Sequence, residues 1–125
     1  MYENEISGII VDACYRIHST LGPGLFESVY EKILDFELKE SGLEVISQKA
    51  IPVVWKGLHF EHGFRADIIV DNKVIVEIKS IEAIAPVHQK QLLTYLRLTN
   101  LKLGLLINFN EGLIKNGIQR IVNNL

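Results

Sequence analysis

The sequence is poor in the features that most narrow a protein's class. Its single cysteine, Cys14, allows no internal disulfide, which excludes a disulfide-stapled scaffold and fits a reducing compartment. Cys14 lies within a helical pattern and reads as a small core residue. No apolar run approaches the roughly 20 residues of a membrane-spanning helix. The N-terminal MYENEIS has no basic region followed by an apolar stretch, so no signal peptide is expected, and the cytoplasm is the expected location. No internal repeat or low-complexity segment is found. Excess positive charge is also missing: 13 Lys and Arg face 15 Asp and Glu, for a net charge of −2. That argues against a protein that grips nucleic acid by charge alone, although an enzyme needs only a local basic surface.

What is present is an ordinary globular balance, 48% hydrophobic and 22% charged over 125 residues. The length fits one domain over 1–125, able to remove about two-thirds of its unfolded surface from water. Ile6, Ile9, Ile10, Ala13, Ile17 and Leu21 recur at helical spacing and predict a helix over roughly 5–20. Gly22-Pro23-Gly24 breaks it. A second helix is expected over 25–40, with Gly42 placed for a left-handed stop. Val45 to Trp55 reads as extended, with Pro52 unsuited to a central strand. Strands are expected at about 58–70 and 73–80. Pro86 suits the first turn of a helix over 86–99. Leu103 to Phe109 reads as a strand covered on both faces, and Gly117 to Asn124 as a final helix. The order predicts an α/β fold with a small mixed sheet.

The chemistry concentrates in FRADIIVDNKVIVEIKS, residues 64–80. A three-residue Asp71-Asn72-Lys73 loop would pair Val70 with Val74 and set Asp67 opposite Glu77. Alternation then gives Arg65, Asp67 and Ile69 a common face with Ile75, Glu77 and Lys79. Ala66, Ile68, Val70, Val74, Val76 and Ile78 form the apolar face. In this register Arg65 lies across from Lys79, an unfavourable pair unless an anion sits between them, which counts toward a phosphate site. A two-residue loop would put the acids on opposite faces. Two half-buried carboxylates side by side favour protonation or a compensating cation. Lys79 supplies one charge. Mg²⁺ or Mn²⁺ supplies two and prefers oxygen ligands. A Glu77–Lys79 or Asp67–Lys79 salt bridge explains the spacing as well.

With these residues the sequence resembles the PD-(D/E)xK nuclease superfamily, in which Asp67 and Glu77-x-Lys79 match the core motif. Gly24-x-x-Glu27-x-x-Tyr30 resembles the signature of the GxxExxY family, a branch of that superfamily. Gln91-x-x-x-Tyr95 resembles a helix motif of its exonuclease-like branches, and Leu105 to Asn110 and the tail are similar too. Ala66 stands where the superfamily's name has proline. The resemblance implies a restriction-endonuclease-like fold, a central mixed sheet flanked by helices. It implies Asp67, Glu77 and Lys79 as catalytic residues, with Glu27, Asp67 and Glu77 as ligands of Mg²⁺ or Mn²⁺. Lys79 would stabilise the attacking hydroxide and the transition state. Gln91 and Tyr95 would contact substrate.

Spacing alone assigns several of these residues more ordinary tasks. Glu27 sits in the first turn of a helix, where an acid meets the dipole favourably. Tyr95 fits an amphipathic core position, and Tyr30 is placed to pack or hydrogen-bond beside the site. His59 and His62 lack a third soft ligand for zinc. His88 fits a surface histidine better than a phosphate contact, and His18 ends a helix. The expected function is metal-dependent hydrolysis of phosphodiesters in nucleic acid, DNA or RNA, with a homodimer as a means of gripping a long substrate. The alternatives are a catalytically silent nuclease-fold module that binds nucleic acid or a partner protein, and a phosphohydrolase of small nucleotides.

Overall fold

Helical apolar spacing at the N-terminus and alternating or continuous apolar runs after residue 44 resolve into two kinds of layer. The computed structural model describes all 125 residues. Helix α1 spans Glu3–Leu21 and α2 spans Glu27–Glu40. Strands β1 (Val45–Trp55), β2 (Leu58–Val70) and β3 (Val74–Lys79) follow, then α3 (Pro86–Thr99) and β4 (Leu103–Asn108). A short 3-10 turn, Ile114–Gly117, leads into β5 (Ile118–Val122). The sheet runs in the order β1-β2-β3-β4-β5. Only β3 and β4 are parallel, as their crossover through α3 requires. The fold is the mixed, helix-flanked sheet that the resemblance implies.

The helices divide between the faces of the sheet. Ile6, Ile10, Ala13 and Ile17 of α1 and Tyr30, Leu34 and Leu38 of α2 pack on Ile68, Val70, Val76, Ile78, Leu105 and Ile107. Leu92 and Leu96 of α3 cover Ile69, Ile75 and Leu106 on the other face. Gly104 makes the α3 side possible, because a Cβ there would stand 2.9 Å from the Leu92 side chain. The two-sided cover explains the unbroken apolar runs of β3 and β4.

The tail is a strand, where a helix is expected from Ile118, Ile121 and Val122. The apolar spacing has another cause: Ile118 packs on the α1/α2 side and Ile121 on the α3 side. Residues three apart on a strand face opposite ways, and β4 offers an open edge that β5 fills antiparallel, with Ile107 opposite Ile118.

The β2–β3 hairpin has the expected register, with Val70 opposite Val74, Ile69 opposite Ile75 and Ile68 opposite Val76. Asp71 and Asn72, both at positive φ, make the turn. Regular pairing ends at Ile68–Val76, so the opposition of Arg65 and Lys79 does not form. Ala66, expected beside Ile68 and Val70, packs instead with Ile69, Ile75 and Phe64 on the α3 side. The alternation therefore shifts across Asp67. Arg65, exposed between Phe64 and Ala66, is turned from the face that holds Ile69. Pro52 is accommodated because β1 is an edge strand and its ladder is irregular between Ile51 and Val53.

Candidate active site

Beyond Ile68 and Val76, side chains take over from the backbone ladder. The Asp67 amide donates to Glu77 Oε2 at 2.8 Å, and the Ile78 amide donates to Asp67 Oδ2 at 2.9 Å. Each acid thus caps the opposite strand where the two separate. Hydrogen bonds to a charged acceptor are stronger than their neutral counterparts and fix carboxylate orientation well. One oxygen of each acid is spent in this way. Asp67 Oδ1 lies 3.3 Å from Gln48 Nε2, which also donates to Glu31 Oε1 at 2.6 Å. Gln48 makes this bridge from a backbone at φ 54°, a conformation that is uncommon for a residue with a Cβ.

The acids crowd one another. Burial, then the nearby charge of Asp67, push the Glu77 carboxyl up to about 8, against the opposing pull of the Asp67 amide and Lys79. Burial raises Asp67 as well, with Glu27 adding to the shift while the Ile78 amide, Gln48 and Lys79 oppose it. Glu31 is raised by burial and by Asp67 and Asp35. Tyr95 is raised by burial and by the charges of Glu77 and Asp67, so its hydroxyl senses both acids. The common direction is that of a site short of positive charge. Lys79 affects both acids electrostatically, yet the ion pairs of the molecule are Arg16–Glu37 and Lys39–Asp35. A strand-end salt bridge to Lys79 is therefore not the reason for the Asp-Glu-Lys pattern.

Glu27 opens α2 and accepts from the Ser80 amide at 3.0 Å, so it holds the backbone just after Lys79. With Ser28, Glu31, Lys32, Gln48 and Asp67 it lines a cleft of about 420 Å³. Tyr30 is fully buried and stacked on Phe109, with ring centroids 4.4 Å apart. Its hydroxyl donates to the Gly22 carbonyl at 2.6 Å and accepts from the Leu25 amide at 3.2 Å. It therefore fixes the loop that delivers Glu27. Tyr95 stacks on Phe64 at 3.9 Å, the rings 6° from parallel. Gln91, one turn earlier on α3, is exposed; Gln89 is the glutamine of that helix held in place, by the Gln119 side chain. Arg65 is exposed at the root of the β1–β2 hairpin. His88 Nδ1 accepts from the Ala85 amide at 3.0 Å and so caps α3. His18 is buried, with Nε2 2.7 Å from the Glu111 carbonyl.

Sequence reasoning missed four contributors. Glu31 was findable as the next acid on the Glu27 face, one helical turn on. Asn108 was findable as a lone amide in an apolar strand. It is fully buried, and its side chain accepts from the Ile81 amide at 3.1 Å and donates to the Ile81 carbonyl at 2.9 Å. It thereby anchors the segment that follows Lys79. Ser80, whose hydroxyl donates to the Leu25 carbonyl at 2.7 Å, ties the same segment to the loop before α2. Gln48 had no signal in the sequence, since its place follows from a local backbone turn.

The donor set is all oxygen, as a hard divalent cation requires. Asp67 and Glu77 each keep one oxygen that makes no backbone hydrogen bond, and their raised carboxyls mark a place where added positive charge is stabilising. No three acidic or imidazole side chains are gathered into a ready-made metal cluster. The residues thus fit a divalent ion held by two carboxylates, with its other positions left to water and substrate. No curated protein and no solved structure matches the chain. The family comparison agrees with the mixed, helix-flanked sheet: the chain belongs to the PD-(D/E)XK nuclease superfamily, whose family model matches residues 4–121.

Proposed function

We propose that this protein is a Mg²⁺- or Mn²⁺-dependent nuclease that hydrolyses phosphodiester bonds in nucleic acid, and that it belongs to the GxxExxY branch. The observation that carries this reading is the reciprocal capping of Asp67 and Glu77 at the point where β2 and β3 part, two residues before Lys79. A nuclease-like function and the use of divalent metals are general in the superfamily to which the chain belongs. The bound ion supplies positive charge that polarises the phosphoryl group and acidifies water.

The chain's own residues do the rest. The free oxygens of Asp67 and Glu77 hold the ion. Glu27 contributes from the cleft wall, through water or directly, while its other oxygen keeps Ser80 in place. Lys79, unpaired by any carboxylate, orients the attacking water and stabilises charge developing on phosphorus-bound oxygen. Asn108 and Ser80 keep Lys79 in register by anchoring the backbone after it. Gln91, Tyr95 and Arg65 contact the substrate backbone. Buried Cys14, its thiol pushed up to about 12 by burial, takes no part.

The test is cleavage of labelled single- and double-stranded DNA and RNA with Mg²⁺ or Mn²⁺, with wild type beside Asp67→Ala and Lys79→Ala. Cleavage lost in both variants and on chelation supports the reading. Cleavage that survives in both variants overturns the site. Binding without cleavage under all conditions would identify the silent module instead. Action on mononucleotides alone would identify a nucleotide phosphohydrolase.

A further inference from the structure

The β1–β2 hairpin runs well past the sheet. Strands β3 and β4 have 6 residues each, whereas β1 has 11 and β2 has 13. The extension lies at the Lys79 end of β3, because β2 runs antiparallel to it and continues from Asp67 back to Leu58. No helix covers it. Trp55, Leu58 and Phe60 are 63%, 59% and 53% exposed. Val53 is opposite Phe60 and Trp55 is opposite Leu58. Directly opposed residues share a face, and alternate residues return to it, so these four side chains form one apolar stripe. Gly63 keeps the irregular ladder tight at its root, since a Cβ there would fall 2.1 Å from Val53 Cγ2. The stripe leads to the Phe64–Tyr95 stack, and Phe64 stands in the same strand as Asp67, just before it.

The arm also differs in charge from the rest of the molecule. Residues 49–65 carry Lys49, Lys56 and Arg65 against Glu61, a net charge of +2 in a chain of −2. Lys56 Nζ sits over the Trp55 ring, 5.3 Å from its centroid. Exposed aromatics beside cations suit unpaired nucleotides, whose bases stack and whose phosphates are anionic. A second copy of the chain suits the arm less well. Two positive arms repel, and aromatic side chains bury roughly 150–250 Å² each. Two of them fall well short of the roughly 800 Å² per partner of a stable dimer.

We propose that the β1–β2 arm is a single-strand-binding platform: bases of an unpaired nucleic-acid segment stack on Trp55 and Phe60, Lys56 and Lys49 meet its phosphates, and the segment runs past Phe64 and Tyr95 to the acids. The proposal rests on the nuclease reading for the direction of the path, and it names single-stranded DNA or RNA as the substrate class.

Trp55 is the only tryptophan in the chain and reports on the arm directly. Its fluorescence is followed in the full-length protein, with chelator present to stop cleavage. The titrants are an oligothymidylate, an oligouridylate, a blunt DNA duplex of equal length and dextran sulfate. Quenching by the single strands, well beyond that by duplex or dextran sulfate, is the expected result, and the two oligonucleotides separate DNA from RNA. By anisotropy of the labelled oligonucleotide, Trp55→Leu and Phe60→Ala each weaken binding by about 5- to 150-fold, the range for losing one stacked base. Equal quenching by dextran sulfate, or unchanged binding by both variants, overturns the proposal. A dimer, seen by sedimentation, that Trp55→Leu dissociates overturns it in favour of self-association. Single-strand binding without cleavage after Mg²⁺ is restored keeps the arm and removes the nuclease reading. Cleavage with variant affinities equal to wild type does the reverse.

Discussion

Strand β2 is two different objects joined at Asp67. From Ile68 to Val70 every side chain is buried, sealed by helices on both faces. From Leu58 to Gly63 every residue is exposed, although half of them are apolar or aromatic by composition or lack a polar side chain. The local sequence does not produce this difference; what lies above and below the strand does. The β2–β3 pairing ends just before the charged pair, and β3 and β4 stop at Lys79 and Asn108, so the same β2 backbone passes from core, through a site, to a free arm. The comparison shows why the acids are tolerated. They stand at the boundary, where the ladder has already opened and carboxylate oxygens serve as acceptors for amides that would otherwise lack partners.

The sharpest way to break the comparison is at the boundary itself. Asp67→Ala removes both a proposed metal ligand and the cap on the Ile78 amide. Cleavage rate should fall by roughly 100- to 1,000-fold or more, as for other groups that act on transition-state charge, measured in single-turnover assays with Mg²⁺.

The buried half and the arm should respond oppositely to the same kind of truncation. Ile68→Ala should cost about 2–5 kcal/mol of unfolding free energy, measured by denaturant titration. Leu58→Ala should stay within about 0.5 kcal/mol. A large loss from Leu58→Ala would mean that the arm is packed in solution.

Gly63→Ala tests the join. Its Cβ would overlap the Val53 side chain, so Val53 or the irregular ladder must shift, at a cost of about 1–3 kcal/mol. Trp55 fluorescence should change with it, while the buried half of β2 keeps its amide-exchange protection.

Stability against pH gives the subtlest test. Glu77 moves from an ordinary 4.5 to about 8 on folding. Between these values the folded state holds a proton that the unfolded state has released, so unfolding free energy falls as pH rises through that window. The raised Asp67 adds a contribution of the same sign, beginning near its ordinary 3.8. With chelator present the thermal midpoint should decline from pH 5 to pH 8, and Glu77→Gln should flatten that decline. Added Mg²⁺ should raise the midpoint more at pH 8 than at pH 5, because it favours the ionised acids.

Much of the frame was legible in the residues. Pro86 marked the start of α3, which runs Pro86–Thr99 as expected, and the three-residue turn predicted the register that Val70–Val74 confirms. The tail was misread because Ile118, Ile121 and Val122 satisfy a helical period by serving both faces of a strand. Composition holds no record of the open β4 edge that recruits them. At the candidate site, Asp67, Glu77 and Lys79 stood out as charges in apolar strands. Gln48 and Ser80 did not, because their contacts join segments 19 and 55 residues apart in the chain.

The sequence by itself determined which segments form helices and strands up to residue 109, the apolar faces available for burial, and the charged triad, because all of these depend on local periodicity and residue type. Only the tertiary structure decided where β2 and β3 part, which amides the acids cap, and that the apolar stripe of the arm stays in solvent. Those outcomes depend on which strand ends first and which helix lies over it, and no single segment carries that information.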